Sequence, residues 1–283
     1  MSDEQTYLSK RGYSIIKNNY TSQFLNELRR DLTVKPFVNS GYGVDASPFP
    51  VYAESKRKLY LPKFYGIKKL GMPNNIKLNG GVEIDVDFPL SLKPKQVPIV
   101  DAYINAVKSN GGGGIISVPC GYGKTVLALY IAHKLQLKTL VVVHKEFLLN
   151  QWKERIKQFL PDATIGRIQA NKVDILGKDI VIGMLQSISM KEYPEETFDQ
   201  FGFVIYDECH HLGAEVFSKA LLKTNCKYTL GLSATPKRAD GLSKVFEWYL
   251  GPIVYSIKKR DKEDVNIKMI YYNKNDVNYN KEI

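Results

Sequence analysis

Apolar positions along the chain change their spacing near residue 88. From there onward, short uninterrupted apolar runs alternate with stretches in which apolar residues recur every three or four positions. An uninterrupted run predicts a strand that is covered on both faces, which is typical of a parallel sheet between two layers of helices. The predicted strands are 115–118, 139–143, 179–182, 203–206 and 228–232. The alternation predicts an α/β domain with a mainly parallel sheet over residues 88–257.

The stretches between these strands predict helices. Residues 94–108 carry an apolar stripe, and residues 125–135 carry a second one. A third stripe follows the strand at 139–143 and places Trp152 and Ile156 on one helical face. Helices in these positions can cover both faces of a parallel sheet.

Residues 1–87 have a different texture, in which basic and aromatic residues are interleaved. Thr21 and Ser22 precede residues 23–28, a pattern that predicts a short capped helix. Short strands are predicted at 34–38, 51–53, 58–61 and, after a turn at 79–81, at 82–86. These elements predict a small α+β domain. The polar, asparagine-rich residues 258–283 are typical of a linker.

The aromatic and basic residues of this first region leave two interpretations open. The rings could stack on bases while the lysines neutralise phosphates, which would make residues 1–87 a nucleic-acid-binding domain. The rings could instead form the core of the small domain while the lysines face solvent.

Net charge, apolar runs and cysteine spacing limit which classes of protein this chain can belong to. The 283 residues carry a formal net charge of +11, which fits a polyanionic partner. There is no apolar run long enough for a transmembrane helix and no secretory signal at the N-terminus, so no membrane partner is expected. The three cysteines, Cys120, Cys209 and Cys226, are far apart and form no C-x-x-C pair. A reduced intracellular compartment is therefore expected.

The strongest chemical motif is Val-Pro-Cys-Gly-Tyr-Gly-Lys-Thr at residues 118–125, between a predicted strand and a predicted helix. We call these residues the phosphate loop. Glycines 121 and 123 let backbone N–H groups turn towards phosphate oxygens. Lys124 would reach the β- and γ-phosphates of ATP, and the Thr125 hydroxyl would hold Mg²⁺. Val118 departs from the strict pattern, which has glycine there. The alternative is a glycine-rich turn with a surface lysine. The residues expected to bind the nucleotide here are Pro119, Cys120, Gly121, Tyr122, Gly123, Lys124 and Thr125.

A second motif, Asp-Glu-Cys-His-His at residues 207–211, follows the predicted strand 203–206. Open α/β sheets bind ligands at this end of their strands. Asp207 could hold the magnesium ion, and Glu208 could polarise the attacking water as a general base. The two histidines would fit a metal site, but no third ligand at a suitable spacing is evident.

A third motif, Ser233-Ala234-Thr235-Pro236, also follows a predicted strand. Its small hydroxylated residues could relay a change at the γ-phosphate to a neighbouring surface, although an isolated string of this kind also suits an ordinary turn.

Together and in this order, the three motifs resemble motifs I, II and III of the superfamily 2 helicases. The cysteine in the phosphate loop and the DECHH string resemble the XPB-like branch, which includes UvsW-type phage helicases and helicases of large DNA viruses. The resemblance implies a RecA-like fold, Mg²⁺-dependent ATP hydrolysis and movement along nucleic acid. It also implies that Val118 is an accepted replacement.

The resemblance assigns further roles by position. The segment 92–96 resembles the branch's adenine-reading motif, which implies that Gln96 reads the adenine. Two further segments, 143–152 and 183–187, resemble strand-contacting motifs. The implied catalytic residues are Lys124, Asp207, Glu208 and His210, and the implied nucleic-acid contacts are His144, Lys145, Gln186 and Ser187.

Motors of this superfamily bind ATP between two RecA-like domains, and the second supplies an arginine finger. No Q-x-x-G-R-x-x-R string follows Pro236. The chain is therefore expected to be the N-terminal half of a motor, nearly inactive alone, whose partners include the second RecA-like domain. The named relatives favour DNA over RNA and suggest transcription or repair machinery as partners. A viral protein would act in the host cytoplasm, in a viral factory or in the virion, and any other in the nucleus or cytoplasm.

Two other functions remain open. One is a non-catalytic nucleic-acid-binding module with a regulatory ATP site. The other is a phosphate-loop kinase of a small metabolite, which leaves the motifs at Asp207 and Ser233 and the segment at Gln96 unexplained.

Overall fold

The computed structural model describes residues 6–36, 47–207, 214–234 and 242–257. The first part of the chain builds a five-stranded sheet in the order β5-β6-β2-β1-β7 and a separate pair, β3-β4. Its elements are β1 (Thr6–Ser9), β2 (Gly12–Ile16), a 3-10 turn (Lys17–Asn19), α1 (Ser22–Asp31), β3 (Thr33–Val34), β4 (Phe49–Pro50), β5 (Ala53–Glu54), β6 (Lys58–Leu61), α2 (Lys63–Leu70) and β7 (Asn75–Ile76).

The capped helix predicted near residue 22 is confirmed as α1. The Thr21 hydroxyl oxygen accepts a hydrogen bond from the backbone N–H of Phe24 at 3.2 Å. This bond satisfies one of the N–H groups that have no partner within the helix. Leu25 and Leu28 are buried on the inner face of the helix, and Arg29 and Arg30 lie in its last turn, where positive charge is favourable.

The rest of the described chain forms an eight-stranded sheet in the order β11-β10-β12-β9-β13-β14-β8-β15, in which only β10 and β11 pair antiparallel. Helices lie between its strands, so the predicted α/β fold with a mainly parallel sheet is confirmed. Its elements are α3 (Val97–Ser109), β8 (Gly113–Ser117), α4 (Lys124–Leu135), β9 (Thr139–Val143), α5 (Glu146–Phe159), β10 (Ile165–Gln169), β11 (Lys172–Asp174), β12 (Ile180–Met184), α6 (Leu185–Met190), a 3-10 turn (Glu195–Phe198), β13 (Phe203–Tyr206), α7 (Ala214–Lys223), β14 (Tyr228–Ser233), α8 (Ser243–Leu250) and β15 (Ile253–Ser256).

Two hydrophobic clusters cover the two faces of this sheet. Val141 of β9 belongs to the cluster that contains α3, α4 and α5, whereas its neighbours Leu140 and Val142 belong to the cluster that contains α6, α7 and α8. Adjacent residues of a strand point to opposite faces, so both sides must be apolar. This double burial explains why the strands are uninterrupted apolar runs in the sequence.

The N-terminal part of the chain shares the second of these clusters. Helix α2 packs against α8, and the ring of Tyr65 meets the ring of Trp248 edge-on at 5.3 Å. The Tyr249 hydroxyl donates to the carbonyl of Val51 at 2.5 Å. Tyr13 and Tyr60 are buried as well. Tyr13, Tyr60 and Tyr65 therefore form core and packing contacts and are not presented to solvent.

Lys63 is the buried cation of this contact. Its side chain is 1% exposed, and its Nζ donates to the backbone carbonyls of Cys226 at 3.3 Å and Lys227 at 2.9 Å. Burial lowers the pKa of Lys63 to about 8, because a charged amine is costly away from water.

The strand predicted at 82–86 is wrong. Its only ladder contact is an isolated bridge between Glu83 and Leu137. The Val82 N–H donates to Gln200 at 2.9 Å, and the Val82 carbonyl accepts from the Lys138 N–H at 2.7 Å. The backbone groups of Val82 thus bind two different segments, so no continuous ladder forms.

No helix in the described ranges is both long enough and apolar enough to cross a bilayer. Within the same ranges, no group of three or more His, Cys, Asp or Glu residues is arranged to hold a metal ion. Cys120 is exposed and Cys226 is buried, and both are free thiols. Cys209 lies outside the described residues.

Candidate nucleotide and nucleic-acid site

The phosphate loop lies between β8 and α4, as predicted. Gly121 and Gly123 have φ angles of +84° and +79°, a backbone conformation that side-chain-bearing residues rarely adopt. A Cβ atom at Gly123 would also lie 2.7 Å from the Gln96 amide nitrogen. The loop therefore needs glycine at both positions to keep its shape.

Lys124 and Thr125 are the first two residues of α4 and are half-buried. The first N–H groups of a helix have no intrahelical partners and carry a partial positive charge, so this end suits phosphate. Pro119, Cys120 and Tyr122 complete the loop ahead of the helix. The Tyr122 N–H donates to the Pro119 carbonyl at 3.4 Å, which closes the turn.

Val118 directly follows the last residue of β8 and stays attached to the neighbouring strand β14. Its side chain is fully buried, and its backbone N–H donates to the carbonyl of Ser233 at 3.1 Å. The first position of the strict phosphate-loop pattern is therefore a core position here, which explains why it is valine.

Gln96 braces the phosphate loop. Its Nε2 donates to the Tyr122 carbonyl at 3.0 Å, and its Oε1 accepts from the Lys93 N–H at 3.0 Å. The side chain is buried, and the Lys95 ammonium lies 4.5 Å above the Tyr122 ring. The structure thus brings Gln96 to the loop, while its role in reading adenine stays a prediction.

Asp207 follows β13 directly, two strands away from the phosphate loop in the sheet order. Its backbone N–H donates to the Val142 carbonyl at 3.1 Å, and its side chain accepts a hydrogen bond from the indole nitrogen of Trp152 at 2.7 Å. The carboxylate is nearly buried at the end of the strand. Glu208 and His210, also predicted to be catalytic, lie outside the described residues.

Ser233 ends β14, the strand between those that carry the phosphate loop and Asp207. It pairs with Ser117 in the sheet and is buried. The bond from Val118 to its carbonyl joins this predicted coupling residue to the phosphate loop. Ala234 follows it and is half-buried, whereas Thr235 lies outside the described residues.

The predicted nucleic-acid contacts converge on the ends of β9 and β12, which are paired through Val143 and Met184. The Gln186 amide nitrogen donates to the His144 carbonyl at 3.0 Å. Ser187 accepts a hydrogen bond from the Ala170 N–H at 2.9 Å. Lys145 and Gln186 are exposed, and His144 and Ser187 are half-buried. The structure therefore brings all four predicted residues together.

Sequence reasoning missed a neighbouring groove between α5 and the β10-β11 hairpin. We call it the basic groove, because the exposed cations Lys153, Arg167 and Lys172 line it. Asp174 lines the groove as well, and the groove has a volume of about 300 Å³. Among the described residues, no carboxylate forms a salt bridge with any of these three cations. The alternating pattern of residues 165–169 could have revealed β10, but the run is too short to predict its partner strand.

The parallel strands β8, β14, β13, β9 and β12 all end at one edge of the sheet, which we call the strand-end edge. The phosphate loop, Ser233, Asp207 and the strand-contacting residues lie along it in that order. Ligands of open α/β sheets bind at this edge.

Comparison with known proteins agrees with this arrangement. Residues 89–238 match the family described as type III restriction enzyme, res subunit. A putative ATP-dependent RNA helicase of Acanthamoeba polyphaga mimivirus is 38% identical over 274 residues, which cover 95% of this chain and 52% of that protein. The DNA 3'-5' translocase XPB2 of Sulfurisphaera tokodaii is 35% identical over 195 residues, which cover 68% of this chain and 43% of the translocase.

A solved structure extends the likeness to the fold. The UvsW helicase from bacteriophage T4 superposes with a TM-score of 0.60 at 19% identity, over 88% of this chain and 98% of that one. This confirms the RecA-like fold. The chain spans about half the length of the curated relatives it matches. The family match and the two relatives together confirm the resemblance seen in the motifs: this chain belongs to the superfamily 2 helicases, within the family of type III restriction enzyme res subunits.

Proposed function

We propose that this chain carries the ATP-binding motor domain of a protein that uses ATP hydrolysis to move along a nucleic-acid strand. One observation carries the proposal: the phosphate loop, Asp207 and the cluster around Lys145 and Gln186 share the strand-end edge. A nucleotide at one end of this edge and a nucleic-acid strand at the other would both contact β-strands of one sheet. Such an arrangement suits coupling between hydrolysis and movement.

The residues present fit ATP and Mg²⁺. The two glycines with positive φ angles and the first turn of α4 form a backbone cradle for phosphates. The Thr125 hydroxyl and the Asp207 carboxylate are hard oxygen donors, which Mg²⁺ prefers. When bound, Mg²⁺ supplies neutralisation of the charge that develops on the transferred phosphoryl group.

The other catalytic roles follow from residue type and position. Lys124 holds the β- and γ-phosphates, and Glu208 takes a proton from the attacking water as general base. His210 belongs to the same motif, and we propose that it takes part in catalysis. Ser233 and its neighbours Ala234 and Thr235 carry the change at the γ-phosphate along the strand-end edge.

We propose that a second RecA-like domain of the full-length protein completes the ATP site. The chain spans about half the length of the relatives it matches, which supports this proposal. An arginine finger from that domain would raise the hydrolysis rate by about 10³–10⁵. Without it, the 283-residue chain should hydrolyse ATP very slowly.

The strand binds across Lys145, Gln186 and the basic groove. The groove lined by Lys153, Arg167 and Lys172 lies between α5 and β10. At the ends of these two elements, the Gln169 amide nitrogen donates to Glu146, the residue after Lys145, at 3.3 Å. DNA is the proposed strand: the Sulfurisphaera tokodaii relative is a DNA translocase, although the mimivirus relative is described as an RNA helicase. ATPase stimulation by DNA and RNA oligonucleotides of one sequence would decide between them.

The central test is Lys124→Ala in the full-length protein. The variant should lose nucleic-acid-stimulated ATP hydrolysis and keep nucleic-acid affinity, because the lysine contacts phosphates of ATP. Lys134→Ala is the matched control, since Lys134 is an exposed residue in the last turn of the same helix. Full ATPase activity in Lys124→Ala would refute the proposal. A wild-type protein that binds nucleic acid and shows no stimulated hydrolysis would favour the non-catalytic binding module.

A further inference from the structure

Asp207 and Trp152 form a buried hydrogen bond that the motifs do not account for. The Trp152 indole nitrogen lies 2.7 Å from the Asp207 Oδ2 atom, and the tryptophan is 0% and the aspartate 8% exposed. The distance is at the short end of the range for N–H···O hydrogen bonds. A bond of this kind is strong where water is excluded.

The indole is held by an element that cannot easily turn. Trp152 lies on α5, whose first residues are anchored because the Leu148 and Leu149 N–H groups donate to the Lys145 carbonyl at 3.1 and 3.3 Å. Leu149 and Ile156, on the same face of the helix, are buried in the same cluster as the tryptophan. The ring direction is therefore set by the packing of α5 on the sheet.

A purely structural tryptophan needs an acceptor for its N–H, and any backbone carbonyl would serve. Here the acceptor is the side chain that is proposed to hold Mg²⁺. We propose that Trp152 is a positioning residue that fixes the orientation of the Asp207 carboxylate for the metal. This inference rests on the proposed function, because it takes Asp207 as the metal-holding residue.

The inference has a measurable consequence for metal dependence. Partners that orient a metal ligand typically affect metal affinity by about 10–100-fold when they are removed. Trp152→Phe removes the donor and keeps an aromatic ring in the core. We expect it to raise the Mg²⁺ concentration needed for half-maximal nucleotide binding by about 10-fold or more. Nucleotide binding without Mg²⁺ should stay as in the wild type, since the phosphate loop is unchanged.

Titration of the 283-residue chain with a fluorescent ATP analogue, at a series of Mg²⁺ concentrations, measures this. Trp248→Phe is the matched control: Trp248 lies on α8, half-buried against Tyr65, and should show wild-type Mg²⁺ dependence. Trp152→Phe with wild-type Mg²⁺ dependence would overturn the inference. A merely structural defect would weaken nucleotide binding with and without Mg²⁺ alike, and that result would also overturn it.

A second readout covers a Trp152→Phe variant that does not fold. The chain has two tryptophans, so an amide-correlation NMR spectrum of the ¹⁵N-labelled protein contains two indole N–H signals, and Trp248→Phe identifies the one from Trp152. With nucleotide present, Mg²⁺ should shift the Trp152 signal and leave the Trp248 signal in place. If nucleotide binding depends on Mg²⁺ but the Trp152 signal does not move, the inference about Trp152 is overturned while the proposed function stands. A wild-type chain without any Mg²⁺-dependent nucleotide binding would overturn the proposed function as well.

Discussion

Replacing Lys63 by methionine should remove a rise in stability that the wild-type chain shows between pH 7 and pH 9. The ammonium of Lys63 is enclosed between α2 and the segment before β14, where two backbone carbonyls accept its hydrogen bonds. Burial lowers its pKa from 10.5 to about 8 in the folded chain. The cost of burying this charge is therefore part of the stability of the contact between the N-terminal region and the large sheet.

The sign follows from proton uptake on unfolding. Between pH 8 and pH 10.5 the unfolded chain holds more protons on Lys63 than the folded chain does, so the free energy of unfolding rises with pH. The gain in the free energy of unfolding from deprotonated Lys63 is complete above pH 10.5 and is lost as the pH falls through 8. At 1.36 kcal/mol per pKa unit, the whole effect is roughly 3 kcal/mol, of which about 1 kcal/mol is gained between pH 7 and pH 9.

The neighbouring thiol acts in the opposite direction. Burial raises the pKa of Cys226 from 9.0 to about 12, so the unfolded chain loses this proton first and stability falls as the pH rises above 9. At pH 9, the unfolded-state pKa of the thiol, this opposing effect is only beginning and is smaller than the gain from Lys63. The interval from pH 7 to pH 9 is therefore the one in which the lysine dominates.

Urea unfolding followed by circular dichroism at pH 7, 8 and 9 tests this reasoning. The free energy of unfolding of the wild type, relative to Lys63→Met, should increase by about 1 kcal/mol across the series. Comparing pH dependences removes the constant effect of the substitution on packing. Lys68→Met, on the exposed side of the same helix, should keep the wild-type dependence. Parallel curves for the wild type and Lys63→Met would refute the reasoning.

Two further predictions concern the site itself. Val118→Gly restores the strict phosphate-loop pattern but removes a fully buried side chain. It should lower the free energy of unfolding in urea by about 2–3 kcal/mol and should not improve ATP affinity. Tighter ATP binding would contradict the role of Val118 as a core residue. In the full-length protein, Lys153→Ala and Lys172→Ala should each weaken nucleic-acid binding and reduce the magnitude of the slope of log affinity against log salt by about 0.7–0.9. Lys108→Ala, an exposed position on α3, is the control. An unchanged slope would show that the basic groove is not part of the binding surface.

Local sequence was sufficient for much of the large sheet. The strands at 139–143 and 203–206 could be predicted because both of their faces are covered, which leaves every position apolar. The phosphate loop could be predicted for a similar reason: its glycines satisfy a backbone conformation that is decided within a few residues. The cap of α1 by Thr21 is equally local.

Short elements with mixed apolar and polar residues were not predictable in the same way. Strands β1 and β2, helix α2 and the β10-β11 hairpin carry mixed patterns, so their pairing depends on what lies beside them. The segment 82–86 shows the converse: its alternating residues predict a strand, but its neighbours offer only one bridge. Without a partner strand, the pattern by itself does not make a ladder.

The amino-acid sequence by itself determined the family, the order of the motifs and the residues of the phosphate loop, because these depend on neighbours in the chain. Tertiary structure decided how those residues meet. Gln96 braces a loop 26 residues away, Trp152 donates to a carboxylate 55 residues away, and Lys63 donates to carbonyls more than 160 residues away. Each of these bonds is at least partly shielded from water, and such burial is a property of the assembled sheet and helices that no local pattern contains.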